Sequence, residues 1–158
     1  MWLACSLTRW SAPSQADDAD SRNDFDAMVG ILLITHAPLG KAFIEAVTHV
    51  FRGTPEHLES LDVIADQDPD EVRRLAREAI ARMDDGAGVL VLTDIIGATP
   101  CNCTLAFCVP GKVEVVAGVS LPMLLRAISY RHNTLDSVAE MALAGGQRGM
   151  CRVAQQTG

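Results

Sequence analysis

Residues 28–40 read MVGILLITHAPLG, and they give the clearest indication of how this chain folds. The run 28–35 is apolar throughout, which is typical of a β-strand that other elements cover on both faces. Residues 39–51 then place apolar side chains at helical spacing, until Gly53 and Pro55 end the pattern. The segment therefore predicts a strand followed by an amphipathic helix, the repeating unit of a parallel sheet.

The same alternation continues along the chain. Apolar runs predict further strands at 58–64, 88–93 and 112–117, and amphipathic segments predict helices at 68–83, 100–109, 121–130 and 134–144. Gly145 and Gly146 are expected to end the last helix, and residues 149–154 to form a short final strand at a sheet edge. We therefore expect a three-layer α/β fold, with a mostly parallel sheet in the common strand order 2-1-3-4 and helices on both faces.

Length and composition narrow the classes of function. The chain has 158 residues, 49% hydrophobic and 21% charged, so it suits one globular domain rather than a disordered or coiled-coil chain. The formal charge of −7 and the 4% of aromatic residues disfavour nucleic acid as a partner. No apolar run reaches the roughly 20 residues of a spanning helix, so a membrane-embedded protein is not expected. A glycine-rich dinucleotide motif and a P-loop are both missing, which weakens nucleotide binding.

The two ends of the chain are predicted to lie outside the folded domain. Residues 1–27 turn polar and acidic, and they lack the basic start and apolar core of a secretory signal. We expect either a disordered tail or a start codon assigned upstream of a true start at Met28, so deleting this segment should leave activity intact. The domain is then 28–154, and residues 155–158 form a C-terminal tail.

Five cysteines without the spacing of a disulfide framework are expected to be reduced thiols in a cytoplasmic protein. Cys101, Cys103 and Cys108 cluster, but metal sites built from soft ligands usually contain a C-x2-C pair or a fourth ligand. No metal site is therefore predicted. Cys101 would lie in the first turn of a helix, where a thiolate is stabilised, yet a packed and inert thiol is the favoured interpretation.

A histidine and a carboxylate follow the first and third predicted strands. Because ligands in such sheets bind beyond the carboxyl ends of the strands, the order 2-1-3-4 would bring His36 and Asp94 together in one crevice. A carboxylate on one imidazole nitrogen fixes the tautomer and leaves the other nitrogen free to attack an electrophile. Gly97 allows close approach, while Thr99 and Pro100 are predicted as the N-cap and first residue of a helix whose N-terminus attracts anions. This combination suits a phosphoryl group.

Three ordered motifs carry a family resemblance: GILLITHAPLG at 30–40, VLVLTDIIGATPCN at 89–102 and VVAGVSLPMLLRAI at 115–128. Through them the chain resembles the mannose-type enzyme IIA component (EIIA) of the bacterial phosphoenolpyruvate:sugar phosphotransferase system (PTS), from about Met28 to Val153. The resemblance implies a phosphotransferase component that takes a phosphoryl group from phospho-HPr and passes it to a IIB partner for sugar uptake.

The resemblance also implies roles for individual residues. His36 would accept the phosphoryl group and Asp94 would orient its ring. Five residues would line the phosphoryl site: Gly97, Ala98, Thr99, Asn102 and Ser120. The phosphohistidine would itself be the carrier, without a metal or organic cofactor. A homodimer would exchange a final antiparallel strand, matched here by residues 149–153.

Two departures from the family pattern and several alternatives accompany this interpretation. Ala37-Pro38 stands where the family often has glycine after the histidine, and Cys101 stands where it commonly has phenylalanine; both would alter the docking surface without removing the acceptor. The phosphorylation state could instead regulate a partner protein. The chain could also serve dihydroxyacetone kinase as a phosphocarrier subunit, or be a non-catalytic flavodoxin-like module that binds an anion. His49, His57 and His132 are weaker candidates than His36.

Overall fold

Strands and helices alternate along residues 27–153, the part of the chain that this computed structural model describes. The elements are β1 (Gly30–His36), α1 (Leu39–Phe51), β2 (Leu58–Val63), α2 (Pro69–Met83), β3 (Val89–Thr93), α3 (Thr99–Thr104), a 3-10 turn (Leu105–Phe107), β4 (Val113–Ala117), α4 (Leu121–Tyr130) and α5 (Leu135–Gly149). The predicted tails at 1–27 and 155–158 lie outside the described residues, apart from Ala27.

The four strands form one parallel sheet in the order β2-β1-β3-β4, which confirms the predicted order 2-1-3-4. In this register Thr35 pairs with Asp62, and Ile34 pairs with Thr93. The carboxyl ends of β1 and β3 therefore lie side by side, and the loop after each strand opens onto the same edge of the sheet.

Each face of the sheet carries its own apolar cluster. Ile31 and Leu33 of β1 belong to a cluster that α1, α4 and α5 cover, whereas Leu32 and Ile34 belong to a cluster that α2 and α3 cover. Because side chains alternate across a strand, a strand that is buried on both faces is apolar at nearly every position. This is the physical reason for the unbroken apolar run from which the strand is predicted.

The prediction that Gly145 and Gly146 end the last helix is wrong, because α5 continues to Gly149. These glycines instead allow α5 to approach α4 closely. A Cβ on Gly145 would lie 2.6 Å from Cγ of Arg126 and 2.8 Å from the carbonyl oxygen of Pro122. Glycine inside a helix costs about 1 kcal/mol relative to alanine, and here it removes a steric clash between two helices.

Two further boundaries differ from the prediction. The helix expected at 100–109 gives way after Thr104 to the 3-10 turn, because Val109 is already extended and forms an antiparallel bridge with Val113. The short final strand expected at 149–154 is not formed in the described residues, since Gly149 closes α5 and residues 150–153 have no regular structure. Across residues 27–153, no helix combines the length and hydropathy needed to cross a bilayer.

Candidate functional site

His36 and Asp94 meet at the carboxyl edge of the sheet, as the sequence predicts. His36 is the last residue of β1, and Asp94 directly follows β3. The Nδ1 atom of His36 lies 2.7 Å from Oδ2 of Asp94, and the same oxygen accepts a 2.9 Å hydrogen bond from the backbone N–H of His36. The His36 side chain is 50% exposed and that of Asp94 only 8%. The carboxylate is thus held inside the site while the ring faces outward.

The hydrogen bonds to Asp94 keep its carboxyl group ionised. Burial alone raises the pKa of Asp94, but the hydrogen bonds from the His36 backbone, from the His36 ring and from the backbone N–H of Ile95 outweigh burial, so the pKa lies below its ordinary value. The bond from Ile95 reaches Oδ1 at 2.8 Å. Both carboxylate oxygens therefore have donors at neutral pH.

An ionised carboxylate dictates the tautomer of the neutral His36 ring. Because Oδ2 of Asp94 can only accept, the hydrogen must reside on Nδ1, and the lone pair then resides on Nε2. Within the described part of the chain, Nε2 forms no hydrogen bond. The arrangement presents a free nitrogen lone pair on a half-exposed ring, and the carboxylate bonded to the other nitrogen would stabilise a cationic ring.

The loop after Asp94 contains backbone N–H groups that have no acceptor among residues 27–153. Gly97 has a φ of +81° and no atom within 4 Å of where a Cβ would be, so its backbone borders open space. Asn102 does not face that space freely, because its Nδ2 donates a 2.8 Å hydrogen bond to the carbonyl oxygen of Gly97 and braces the loop. Among residues 27–153, no acceptor is found for the N–H groups of Gly97 and Thr99.

The start of α3 is displaced by one residue from the prediction. Ala98 is the N-cap, without a side-chain cap hydrogen bond, and Thr99 is the first helical residue rather than the N-cap. The backbone of Ala98 is extended, and its carbonyl oxygen accepts from the N–H of Asn102. The hydroxyl of Thr99 is therefore not used in capping and lies on an exposed residue beside the loop.

A second loop faces the first and is bonded to it. The N–H groups of Gly118 and Val119 donate to the carbonyl oxygens of Asp94 and Thr93, at 3.1 and 2.9 Å. Ser120 ends this loop as the N-cap of α4, where its hydroxyl oxygen accepts from the N–H of Met123. Its hydroxyl hydrogen remains available, so capping and a contact with an anion are compatible.

One residue of this edge, Asp62 of β2, is not predicted from the sequence. Its Oδ1 accepts from the N–H of Gly40 at 2.8 Å and from the hydroxyl of Thr35 at 3.3 Å, while Oδ2 accepts from the N–H of Lys41 at 3.3 Å. The N-cap of α1, Pro38, makes no side-chain cap hydrogen bond. Asp62 supplies that cap from the neighbouring strand, so no local sequence signal reveals it.

The cysteine cluster does not form a metal site in the described residues. Cys101 and Cys103 are buried, Cys108 and Cys151 are exposed, and all four are free thiols. Burial raises the pKa of Cys108, and nearby Glu114 raises it further. Between residues 27 and 153 no group of three or more histidine, cysteine or acidic side chains is placed to hold a metal ion.

Comparison with known families gives a match over most of the domain. Residues 30–143 match the EIIA-man family, described as the PTS system fructose IIA component. The PTS system sorbose-specific EIIA component of Lacticaseibacillus casei is 30% identical over 106 residues, which cover 65% of this chain and 74% of that protein. The PTS system mannose-specific EIIAB component of Escherichia coli K12 is 24% identical over 125 residues. That match covers 77% of this chain but only 38% of the length of the E. coli protein.

Solved structures share the fold. An EIIA component from Streptococcus agalactiae superposes with a TM-score of 0.71 at 23% identity, covering 79% of this chain and 97% of that one. A mannose/sorbose specific IIA subunit from Enterococcus faecalis gives a TM-score of 0.71 at 18% identity, covering 81% and 96% of the two chains. These likenesses confirm the three-layer α/β architecture independently of the sequence match.

Proposed function

The chain belongs to the mannose-type EIIA family of the phosphotransferase system, and from this premise we propose that it carries a phosphoryl group on Nε2 of His36. The donor in this proposal is phospho-HPr, and the acceptor is a IIB partner that serves sugar uptake. The observation that carries the proposal is the 2.7 Å contact between Nδ1 of His36 and Asp94, which leaves the Nε2 lone pair free on a half-exposed ring.

In the proposed transfer the phosphoryl group passes directly from the donor histidine to His36. The Nε2 lone pair attacks phosphorus in line, the new N–P bond forms, and the N–P bond to the donor histidine breaks with its electron pair returning to that ring. The His36 ring becomes cationic, while Nδ1 keeps its hydrogen and the hydrogen bond to Asp94. In this proposal the N–H groups of Gly97 and Thr99, which have no acceptor among residues 27–153, hold phosphoryl oxygens, and their being free supports both residues as part of the predicted site.

The surface around His36 suits a protein donor. Ile96 is 81% exposed and Ile95 59% exposed in the loop after Asp94, and Ile64, which follows β2, is 62% exposed. Large, solvent-exposed apolar side chains around a reactive nitrogen favour docking against another apolar surface. Docking there would also exclude water, which would otherwise hydrolyse the phosphoryl group during transfer.

The test is intact-mass analysis after incubation with phosphoenolpyruvate, enzyme I and HPr. We expect one acid-labile phosphoryl group on the wild type, dependent on HPr, and none on His36→Ala. His49→Ala is the matched control, since His49 is an exposed histidine on α1 away from the site, and it should be labelled like the wild type. Labelling of His36→Ala at the wild-type level would rule out this acceptor.

A second stage of the same experiment tests the acceptor. Adding a IIB protein to the isolated phosphorylated chain should discharge the label, whereas a purely regulatory phosphocarrier would keep it. Absence of label on the wild type, with HPr shown to be competent on another acceptor, would favour the anion-binding module instead.

A further inference from the structure

Three threonines are the fully buried polar residues of the described chain, and one of them differs from the other two. Thr35, Thr93 and Thr104 are each 0% exposed. The hydroxyl of Thr35 donates to Oδ1 of Asp62, and that of Thr104 donates to the carbonyl oxygen of Cys101 at 2.7 Å. Within residues 27–153, Oγ1 of Thr93 is the buried side-chain polar atom that has no hydrogen-bond partner.

Thr93 occupies a position where the fold gains nothing from a hydroxyl. A buried hydroxyl without a partner destabilises the folded state, because it loses its hydrogen bonds to water and gains none. Valine has nearly the same shape and would fill the space without that loss. An unsatisfied buried group beside a reactive site therefore calls for a functional explanation.

The register fixes the face of the sheet on which the Thr93 side chain lies. Thr93 pairs with Ile34, so its side chain lies on the same face of the sheet as Ile34 and, two residues further along β1, His36. The chain leaves β3 immediately after Thr93, forms the loop, and returns as α3, which packs over β1, β3 and β4 on this face. The hydroxyl is therefore on the face of the sheet that α3 covers, one residue before the loop that begins at Asp94.

In a peptide group, the direction of the N–H determines the direction of the carbonyl oxygen. In a trans peptide the N–H and C=O groups point in opposite directions, so a loop that turns its N–H groups outward toward an anion turns carbonyl oxygens inward. An inward carbonyl needs a donor, and the Thr93 hydroxyl is a donor that lacks an acceptor. Within residues 27–153 the carbonyl oxygens of Ile95, Gly97 and Ala98 already accept hydrogen bonds, whereas that of Ile96, in the same peptide as the N–H of Gly97, has no donor. We propose that Thr93 is a positioning residue whose hydroxyl donates to this carbonyl oxygen when His36 is phosphorylated.

This inference rests on the proposed function, and it makes a distinctive prediction. In the unphosphorylated protein, Thr93→Val should be at least as stable to urea as the wild type, because it removes an unpaired hydroxyl. In the phosphorylation equilibrium with phospho-HPr, the same variant should show a constant about tenfold less favourable, since it loses a hydrogen bond that only the phosphorylated state makes. A substitution that stabilises the fold while weakening phosphorylation is not expected of a merely structural residue.

Two companion variants control the measurement. Thr93→Ser keeps the hydroxyl and should leave the equilibrium within about twofold of the wild type. Thr104→Val is the matched control for losing a buried hydroxyl, and because that hydroxyl is paired, it should lower stability without changing the equilibrium. Urea unfolding and the phosphorylated fraction by intact mass measure both quantities on the full chain.

The outcomes separate this inference from the proposed function. If the wild type is phosphorylated but Thr93→Val matches it in the equilibrium, the positioning role is refuted and the function stands. Loss of stability in unphosphorylated Thr93→Val would show that the hydroxyl already has a partner, which also refutes the role. If the wild type takes no phosphoryl group from competent phospho-HPr, the proposed function fails and the role of Thr93 fails with it.

Discussion

Two aspartates hold neighbouring residues of the same strand from opposite sides, and they do different work. Asp62 on β2 binds the hydroxyl of Thr35 and the first N–H groups of α1, whereas Asp94 after β3 binds the backbone and the ring of His36. Both are carboxylates that accept hydrogen bonds at the carboxyl edge of the sheet. The two carboxylates differ in their partners. Asp62 holds the hydroxyl of Thr35 and the backbone at the start of α1, whereas Asp94 holds an ionisable ring. The contrast teaches that position at this edge does not by itself define a reactive group.

The largest expected effect that tests this contrast is on transfer in Asp94→Asn. An amide is neutral and offers one acceptor oxygen, so it neither fixes the His36 tautomer nor stabilises the cationic ring. We expect the rate of phosphoryl transfer from phospho-HPr to fall about a hundredfold, the low end of what acid–base positioning contributes. Rapid-quench labelling measures the rate. A rate equal to that of the wild type would reduce Asp94 to a structural cap like Asp62.

The matched substitution Asp62→Asn should lower stability and leave the rate of phosphoryl transfer nearly unchanged. The amide keeps one acceptor for Gly40 but loses the oxygen that Lys41 uses, and it removes the negative charge from the start of α1. We expect the free energy of unfolding to drop by about 1 kcal/mol, the usual cost of a lost helix cap. At a temperature where the variant is folded, its rate of phosphoryl transfer should stay within about twofold of the wild type. The reason is that losing this cap lowers the stability of the fold and leaves the reacting groups unchanged.

Urea unfolding and the same quenched labelling assay, run in parallel on both aspartate variants, decide the comparison. A large loss of transfer in Asp62→Asn with the fold intact would show that holding the start of α1 also positions His36. In that case the two carboxylates would form one functional unit rather than two separate ones.

The sequence predicts the sheet, its order and the pairing of His36 with Asp94, because each depends on local patterns combined with a general rule for parallel sheets. The apolar run 28–35 marks a strand covered on both faces, and the strand order then brings the two side chains together. The role of Asp62 is invisible at that level, since its partners lie 22 and 27 residues away along the chain. The unpaired hydroxyl of Thr93 also requires coordinates, because satisfaction of a buried group depends on every neighbour.

The glycines near the end of α5 also show what a local sequence pattern cannot predict. A Gly-Gly pair near a helix end is a reasonable stop signal, yet Gly145 lies inside α5 at a close approach to Arg126 and Pro122 of α4. A local pattern cannot separate conformational freedom from lack of space, because the two explanations differ only in what stands opposite the residue. The same reasoning applies to the edge strand expected at 149–154, whose partner in the family resemblance would be a second chain.

The smallest expected effect is the loss of the stability that Asp94 contributes as pH falls. This measurement distinguishes the role of Asp94 in folding stability from its role in phosphoryl transfer. Although burial raises the pKa of Asp94, its hydrogen bonds bring the folded-state pKa below the ordinary value of 3.8. The ionised carboxylate therefore stabilises the fold above that pH, and the contribution is lost as pH falls through the folded-state pKa. The advantage of the wild type over Asp94→Asn in free energy of unfolding should shrink as pH falls from about 5 to below the ordinary value of 3.8. Urea unfolding at several pH values measures the difference; parallel curves for the two proteins would mean that the fold does not favour the ionised carboxylate, and that the hydrogen bonds to His36 serve the ring alone.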